Sequence, residues 1–319
     1  MAPRDKAASG PGLSPRALEA VPRRGEQAIY CVLVACAALS VVTTTAIVVS
    51  LLGPTIEFFG EVGFTEFLFG TQWSPQFSGD QAQFGVLPIV AGTLNVTLWA
   101  LLVAVPAGLG AAIYLSEYAS RRMRRVLKPT LEVLAGIPTV AFGFFALSFI
   151  TPVIQGIWPS FLGDEPFIFS AGSAGIAIGI LIIPIVASIS EDAMSSVPGG
   201  LREGALALGA TKMHVATRVV FPAALSGIVA SIVLAVSRAI GETMIVLIAA
   251  GNSPNLTLAF NESIQAMTAY IGTTATGDIG TGTIEYRTIF AVGTLLFVMT
   301  LVMNVFSIRL VRRFREVYE

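Results

Sequence analysis

The sequence predicts an all-α integral membrane protein with six transmembrane helices. Three observations lead there. Hydrophobic residues make up 54% of the chain and charged residues only 12%, with a mean hydropathy of +0.78, which soluble globular chains do not sustain. Six apolar runs are each long enough to cross a bilayer. All but two of the nineteen lysines and arginines lie in the terminal segments and in alternate connections between those runs. A net charge of -1 gives no basic field for a nucleic-acid partner, so the placement of charges carries what their sum does not.

A membrane helix needs roughly 17–25 apolar residues to cross about 30 Å of hydrocarbon. Runs of that kind lie at 28–52, 86–115, 129–155, 170–189, 222–250 and 286–309. The second and third exceed a straight crossing, which predicts tilt or a kink at Pro106 and Pro138. Small residues in the fourth, GSAGIAIGI, predict close helix approach, and Thr93, Asn95 and Thr97 in the second predict hydrogen bonds between helices. Cys31 and Cys36, five apart in the first run, read as small buried or lipid-facing side chains, not as a disulfide or metal site. His214, the single histidine, has no ligand-spaced Cys, Asp or Glu beside it and reads as a polar-face residue.

Orientation follows from the cations. Arg4, Lys6, Arg16, Arg23 and Arg24 precede the first run; Arg121, Arg122, Arg124, Arg125 and Lys128 lie between the second and third. Arg202, Lys212 and Arg218 lie between the fourth and fifth, and Arg309, Arg312, Arg313 and Arg315 follow the sixth. The opposite connections, 53–85, 156–169 and 251–285, hold no lysine or arginine and carry acidic residues instead. The positive-inside rule then puts both termini in the cytoplasm. Arg287 remains, at an outer interface where it can snorkel, and so does Arg238, inside the fifth run. Residues 1–27, rich in Pro, Ala, Gly and Arg, predict a disordered cytoplasmic tail; the run after them lacks an A-x-A cleavage site and reads as a retained anchor. The connection 53–85 is long enough for a small outer cap, and 310–319 forms a second cytoplasmic tail.

The segment LREGALALGATKMHVATRVVFP, residues 201–222, falls in a cytoplasmic connection. Leu201, Ala205, Leu208, Met213, Ala216 and Val220 recur at helical spacing among charges, which predicts a short amphipathic helix, a break at Gly209 and a second helix. Periodicity alone leaves two readings open: a docking element for a soluble partner, or a helix pair lying on the membrane surface. Glu203, Ala205, Gly209 six residues after the glutamate, and Pro222 nineteen after it resemble the EAA coupling loop of ABC importer permeases, which inserts into the cytoplasmic ATPase. Gly204, Val219 and Phe221 depart from the usual residues of that loop.

The resemblance runs from about 85 to 319. GTLNVTLWALLVAVPAGLGAAIYLSEYA (92–119), LEVLAGIPTVAFGFFAL (131–147), SRAIGETMIVLIAAGN (237–252), MTAYIG (267–272) and the segment 284–319 resemble the phosphate-specific ABC importer permeases. The methionine of GETM and the RRFREVYE tail favour the PstC type over its paired PstA type. The resemblance implies a type I importer (MetI-like) transmembrane domain over 86–309, with its coupling loop at about 190–222 and the first helix outside the core. It further implies a cytoplasmic ABC ATPase dimer, a second permease of PstA type, an extracytoplasmic phosphate-binding protein and membrane lipid as partners. No cofactor and no catalysis by this chain are implied.

A charged side chain inside a membrane run is a candidate functional residue by default. Arg238 lies sixteen residues beyond Pro222, and Glu242 follows at i+4 on the same helical face. One reading is a mutually neutralising pair that holds the bundle; the other is a guanidinium fork for an oxyanion with Glu242 as its competing partner. In the resembling family this Arg-Ala-x-Gly-Glu element is implicated in phosphate passage, which assigns the substrate pathway to Arg238 and Glu242. Glu132 is expected to pair with Arg125 or Lys128 at the inner interface. No G-x-x-x-x-G-K-[ST] occurs, and GTTATGDIGTGT reads as a flexible outer loop, so energy is expected from a separate ATPase. Two rivals stand: a permease for phosphonate, sulfate or molybdate, sharing fold and loop, and an ion-coupled secondary transporter, for which no internal repeat is evident.

Overall fold

A computed structural model of the chain describes residues 24–77, 79–159 and 164–313; of the tails expected at 1–27 and 310–319, residues 1–23 and 314–319 lie outside the described residues, whereas 24–27 and 310–313 are helical and continue α1 (Arg24–Glu61) and α14 (Ile284–Arg313). The chain divides into two units at Ser50/Leu51. The first is the leading part of α1 (Arg24–Glu61). Its apolar side chains point outward, and Cys31 and Cys36 are both exposed and unbridged. The three consecutive hydroxyls of Thr43, Thr44 and Thr45 each donate to the carbonyl four residues back, at 2.8–2.9 Å. Such back-bonding satisfies a hydroxyl without leaving the helix, as an apolar surrounding requires.

The second unit begins inside α1, which continues through Pro54 to Glu61 where the hydropathy reading ends it at 52. A short α2 (Phe64–Phe69) and a two-residue hairpin, β1 (Trp73–Ser74) paired antiparallel with β2 (Gln83–Phe84), then build a cap. Phe58, Phe67, Trp73 and Phe84 pack edge to face there, and Trp73 meets Tyr270 at 4.9 Å between ring centres. Arg287 reaches Glu57 and Glu61 at the same end.

From the cap the chain enters α3 (Leu87–Ile113), which runs through Pro106 and ends in a π-helical turn at Tyr114–Tyr118. It packs closely on α7 (Ala171–Ser195) because glycines line the crossing. A Cβ at Gly175 would lie 2.5 Å from that of Trp99, and one at Gly179 would lie 2.8 Å from that of Val103. Small residues permit this approach, and the packing of Val96, Ala100, Ala104, Ile178 and Ile182 forms the centre of the main core.

The third apolar run is corrected by the structure. Residues 121–134 form a separate amphipathic helix, α4 (Arg121–Leu134), and the apolar crossing starts only at α5 (Thr139–Phe145), continuing through a π turn into α6 (Thr151–Ile157). Gly136 and Pro138 cause the separation: proline disfavours helical backbone at Ile137, so the first helix stops and the second starts at the ring. The expected kink at Pro138 is therefore a full break.

The fifth run is also interrupted. After α8 (Gly199–Ala207) come α9 (Lys212–His214), a π turn at 215–220 and α10 (Phe221–Ala223), then α11 (Leu225–Ile240) at a 73° bend. α11 stops at Gly241, and α12 (Met244–Ala249) resumes three residues later. The short α13 (Met267–Thr276) and the long α14 (Ile284–Arg313) complete the chain. Among the described residues five helical segments are long and apolar enough to cross a membrane, and six if the bent pair counts as one.

Candidate functional site

Arg238 occupies the last turn of α11 and Glu242 the break after it. The i+4 spacing brings them together: Arg238 Nη1 donates to Glu242 Oε2 at 2.8 Å. The two ends of this pair differ in surroundings. Glu242 is buried, its backbone carbonyl accepts from Thr268 Oγ1 at 2.7 Å, and its Oε1 faces the Ile245 amide at 3.5 Å at the start of α12. Arg238 is 41% exposed and lines an open cleft of about 590 Å³, together with Leu234, Ser237, Pro184, Ala135 and Glu132. Glu242 is thus held from three elements, its carboxylate by Arg238 and the Ile245 amide and its backbone carbonyl by Thr268, while the arginine lines the cleft. The guanidinium fork is always charged and suits an oxyanion.

Glu132 is not where the sequence reading puts it. Lys128 pairs with Glu191 at 2.9 Å and also with Asp192, and Arg124 pairs with Glu191. Glu191 is fully buried on α7 and accepts from Ser195 Oγ at 2.8 Å as well. Burial pulls the Lys128 ammonium down, but its hydrogen bonds to Asp192 and Glu191 and their charges outweigh this and hold it above the ordinary lysine value. α4 faces α7 through these groups, so Glu132 is left on the cleft side, exposed.

The 199–223 segment folds as its periodicity predicts, a helix pair broken at Gly209, whose φ of +83° lies in the left-handed region that favours glycine. Its apolar positions divide between two surroundings. Ala216 is buried and Val220 is buried in one cluster with Met194, Ala112 and Ile228, whereas Leu201, Leu208 and Met213 are exposed, Leu208 by 91%. Glu203 and Pro222 are exposed too, and Ala205 is half-buried. His214 bonds Thr211 Oγ1 through Nδ1 at 2.9 Å as a local capping contact.

The sequence reading did not see what anchors this pair. Arg202 donates to Glu117 Oε1 from Nε at 3.1 Å and from Nη2 at 3.0 Å, to the carbonyl of Val197 at 2.6 Å and to that of Met194 at 2.7 Å. It joins α8 to the π turn after α3 and to the end of α7. Arg202 and Glu117 are 85 positions apart, so no local pattern could have joined these two. Of the three hydrogen-bonding residues expected in α3, Asn95 bonds the carbonyls of Thr257 and Ala259, and Thr93 accepts from the Met267 amide; Thr97 bonds only within its own helix.

Apolar helices set around an ion pair at a helix break, with a solvent-facing helix pair at one end, define a membrane transport component. The chain belongs to the family of binding-protein-dependent transport system inner membrane components, whose profile matches residues 104–316. It is 34% identical over 84% of its length to the probable ABC transporter permease protein YqgH of Bacillus subtilis, covering 85% of that relative. It is 32% identical to the phosphate transport system permease protein PstC of Haemophilus influenzae, over 78% of this chain and 82% of the relative. Among solved structures, a bacterial alginate ABC transporter bound to its periplasmic protein aligns over 91% of this chain and 96% of its own, with a TM-score of 0.63 and 18% identity. The MetNI methionine ABC transporter aligns over 73% of this chain and 95% of its own, at 0.51 and 20% identity. The fold is that of a type I importer permease, and the chain is a non-catalytic, multi-pass membrane subunit of an ABC importer.

Proposed function

We propose that this chain is the permease subunit of an ATP-driven, high-affinity importer of inorganic phosphate, supplying half of the translocation pathway. The observation that carries the reading is the Arg238–Glu242 pair, with a buried carboxylate and a guanidinium open to a cleft. A divalent anion needs positive potential along its route, yet a deep cationic trap would not release it. One arginine balanced by one glutamate gives a weak, transient site: the anion competes with Glu242 for the fork and leaves when the pathway turns. The PstC relatives, about a third identical over most of the chain, support phosphate as the anion.

In this reading the helix pair 199–223 docks the ATPase, with Glu203, Ala205, Gly209 and Pro222 shaping it and exposed Leu208 and Met213 entering the contact. Both termini are cytoplasmic, the second permease is of the PstA type, and an extracytoplasmic phosphate-binding protein delivers the ligand at the cap end. The test is reconstitution of this chain with its paired permease, ATPase and binding protein, followed by ATP-dependent uptake of labelled phosphate against sulfate and molybdate. Uptake of phosphate in preference to the others is expected; preference for another oxyanion would reassign the substrate while keeping the coupling scheme.

A further inference from the structure

The cleft lined by Arg238 has a neighbour. Glu132, on its wall, also lines a second cleft of about 440 Å³ whose other walls are Arg121, Arg124, Arg125, Lys128 and Pro129. A cleft with one arginine and a cleft with four cations therefore share one carboxylate. The cations of the second cleft are not equivalent. Arg124 and Lys128 are committed to Glu191 and Asp192, whereas Arg121 and Arg125 are exposed and form no ion pair among the described residues. Glu132 is exposed and unpaired in the same sense, although it is on the same helix as all four cations.

A staple would be expected to pair, and a purely solvated charge would not be expected to stand on both walls. An anion moving from one cationic cleft to the next meets a different requirement: each stop must attract it, and the step between must not become a deep well. A carboxylate shared by both clefts meets that requirement, since it lowers the affinity of each for a multiply charged anion without closing either.

We infer that the Arg121/Arg125 cleft is a second oxyanion site, at the basic end of the bundle, for the anion that has left Arg238, and that Glu132 sets how readily the anion departs. This rests on the proposed phosphate-import function. The ligand chemistry is a phosphate group, which a lipid headgroup also offers, because α4 exposes Met123, Val126 and Val133 beside its arginines.

The experiment uses the complete transporter in proteoliposomes, ATPase face inward, with ATP and graded unlabelled inorganic phosphate in the lumen. Initial uptake of labelled phosphate is measured and normalised to each variant's rate with no lumenal phosphate. Glu132→Gln should lower the lumenal concentration that half-inhibits uptake by roughly two- to fivefold, the effect of one solvent-exposed charge contact. Arg121→Gln with Arg125→Gln should raise it by a similar factor. An unchanged half-inhibiting concentration in both variants, or no lumenal inhibition in any form, overturns the second site. So does a response of the arginine variant only to the phosphatidylglycerol content of the vesicles, which would give the cleft to lipid headgroups. Should the wild-type complex carry a different oxyanion, the substrate assignment fails by itself, and the same shifts are read with the anion it does carry.

Discussion

Arg238 and Glu242 form one i+4 pair for which structure and passage are separable roles, the second of them proposed. The carboxylate is held by Arg238 and the Ile245 amide and the Glu242 backbone carbonyl by Thr268, while the arginine is bound through a single Nη. If the guanidinium contacts the translocating anion, Arg238→Gln should lower phosphate uptake roughly 10- to 100-fold, the range for a lost charge-assisted hydrogen bond, with membrane insertion and complex assembly intact. The double change with Glu242→Gln separates the two roles. A glutamine keeps the shape and an acceptor for the Ile245 amide, so a purely structural pair should tolerate loss of both charges. Recovery of uptake per assembled complex to near the wild-type level would make Arg238 a staple and remove it from the pathway; continued loss is expected.

At the level of elements, the helix pair 199–223 is held by Arg202 through four hydrogen bonds to Glu117, Val197 and Met194. Arg202→Met removes the cation and leaves Glu117, 7% exposed, without its partner, at a cost of about 3 kcal/mol. We expect the variant to assemble but to hydrolyse ATP with less phosphate moved per ATP, because α8 no longer moves with α3 and α7. A transport-to-hydrolysis ratio equal to wild type would deny the tether that role. Single cysteines at Ala205, Leu208 and Thr211 should crosslink to the ATPase, Leu208 most efficiently given its exposure; an active, assembled complex with no crosslink from any of them would sink the docking assignment. The α3–α7 crossing gives a purely structural counterpart. Gly179→Val places a Cβ 2.8 Å from that of Val103, and overpacking of this kind costs about 1–3 kcal/mol, to be read as a lower melting temperature in detergent.

For the whole molecule, the two ends of the bundle differ in chemistry. One gathers α4, the helix pair 199–223 and their arginines; the other carries an aromatic cap and the acidic connections. If both termini are cytoplasmic, as proposed, cysteines at Gln76 and Thr276 should react with an impermeant thiol reagent added outside intact cells and one at Ser120 should not, once Cys31 and Cys36 are serine. Labelling at Ser120 would reverse the orientation. Hydropathy was sufficient for the membrane class and for four of the six crossings, because a span is a one-dimensional property of twenty or so neighbouring residues. The Arg238–Glu242 pair and the Gly209 break were equally legible, being set by helical spacing and by one residue's backbone freedom. Hydropathy could not separate α4 from α5, since an averaged run hides what Gly136 and Pro138 do to the backbone, nor show that the fifth run stops at Gly241. Which acid meets which base between different helices was decided only by tertiary structure. Arg202 finds Glu117, Lys128 finds Glu191 and Asp192, and Glu132 is left facing two clefts, because ion pairing depends on distances in space between helices that lie far apart in the chain.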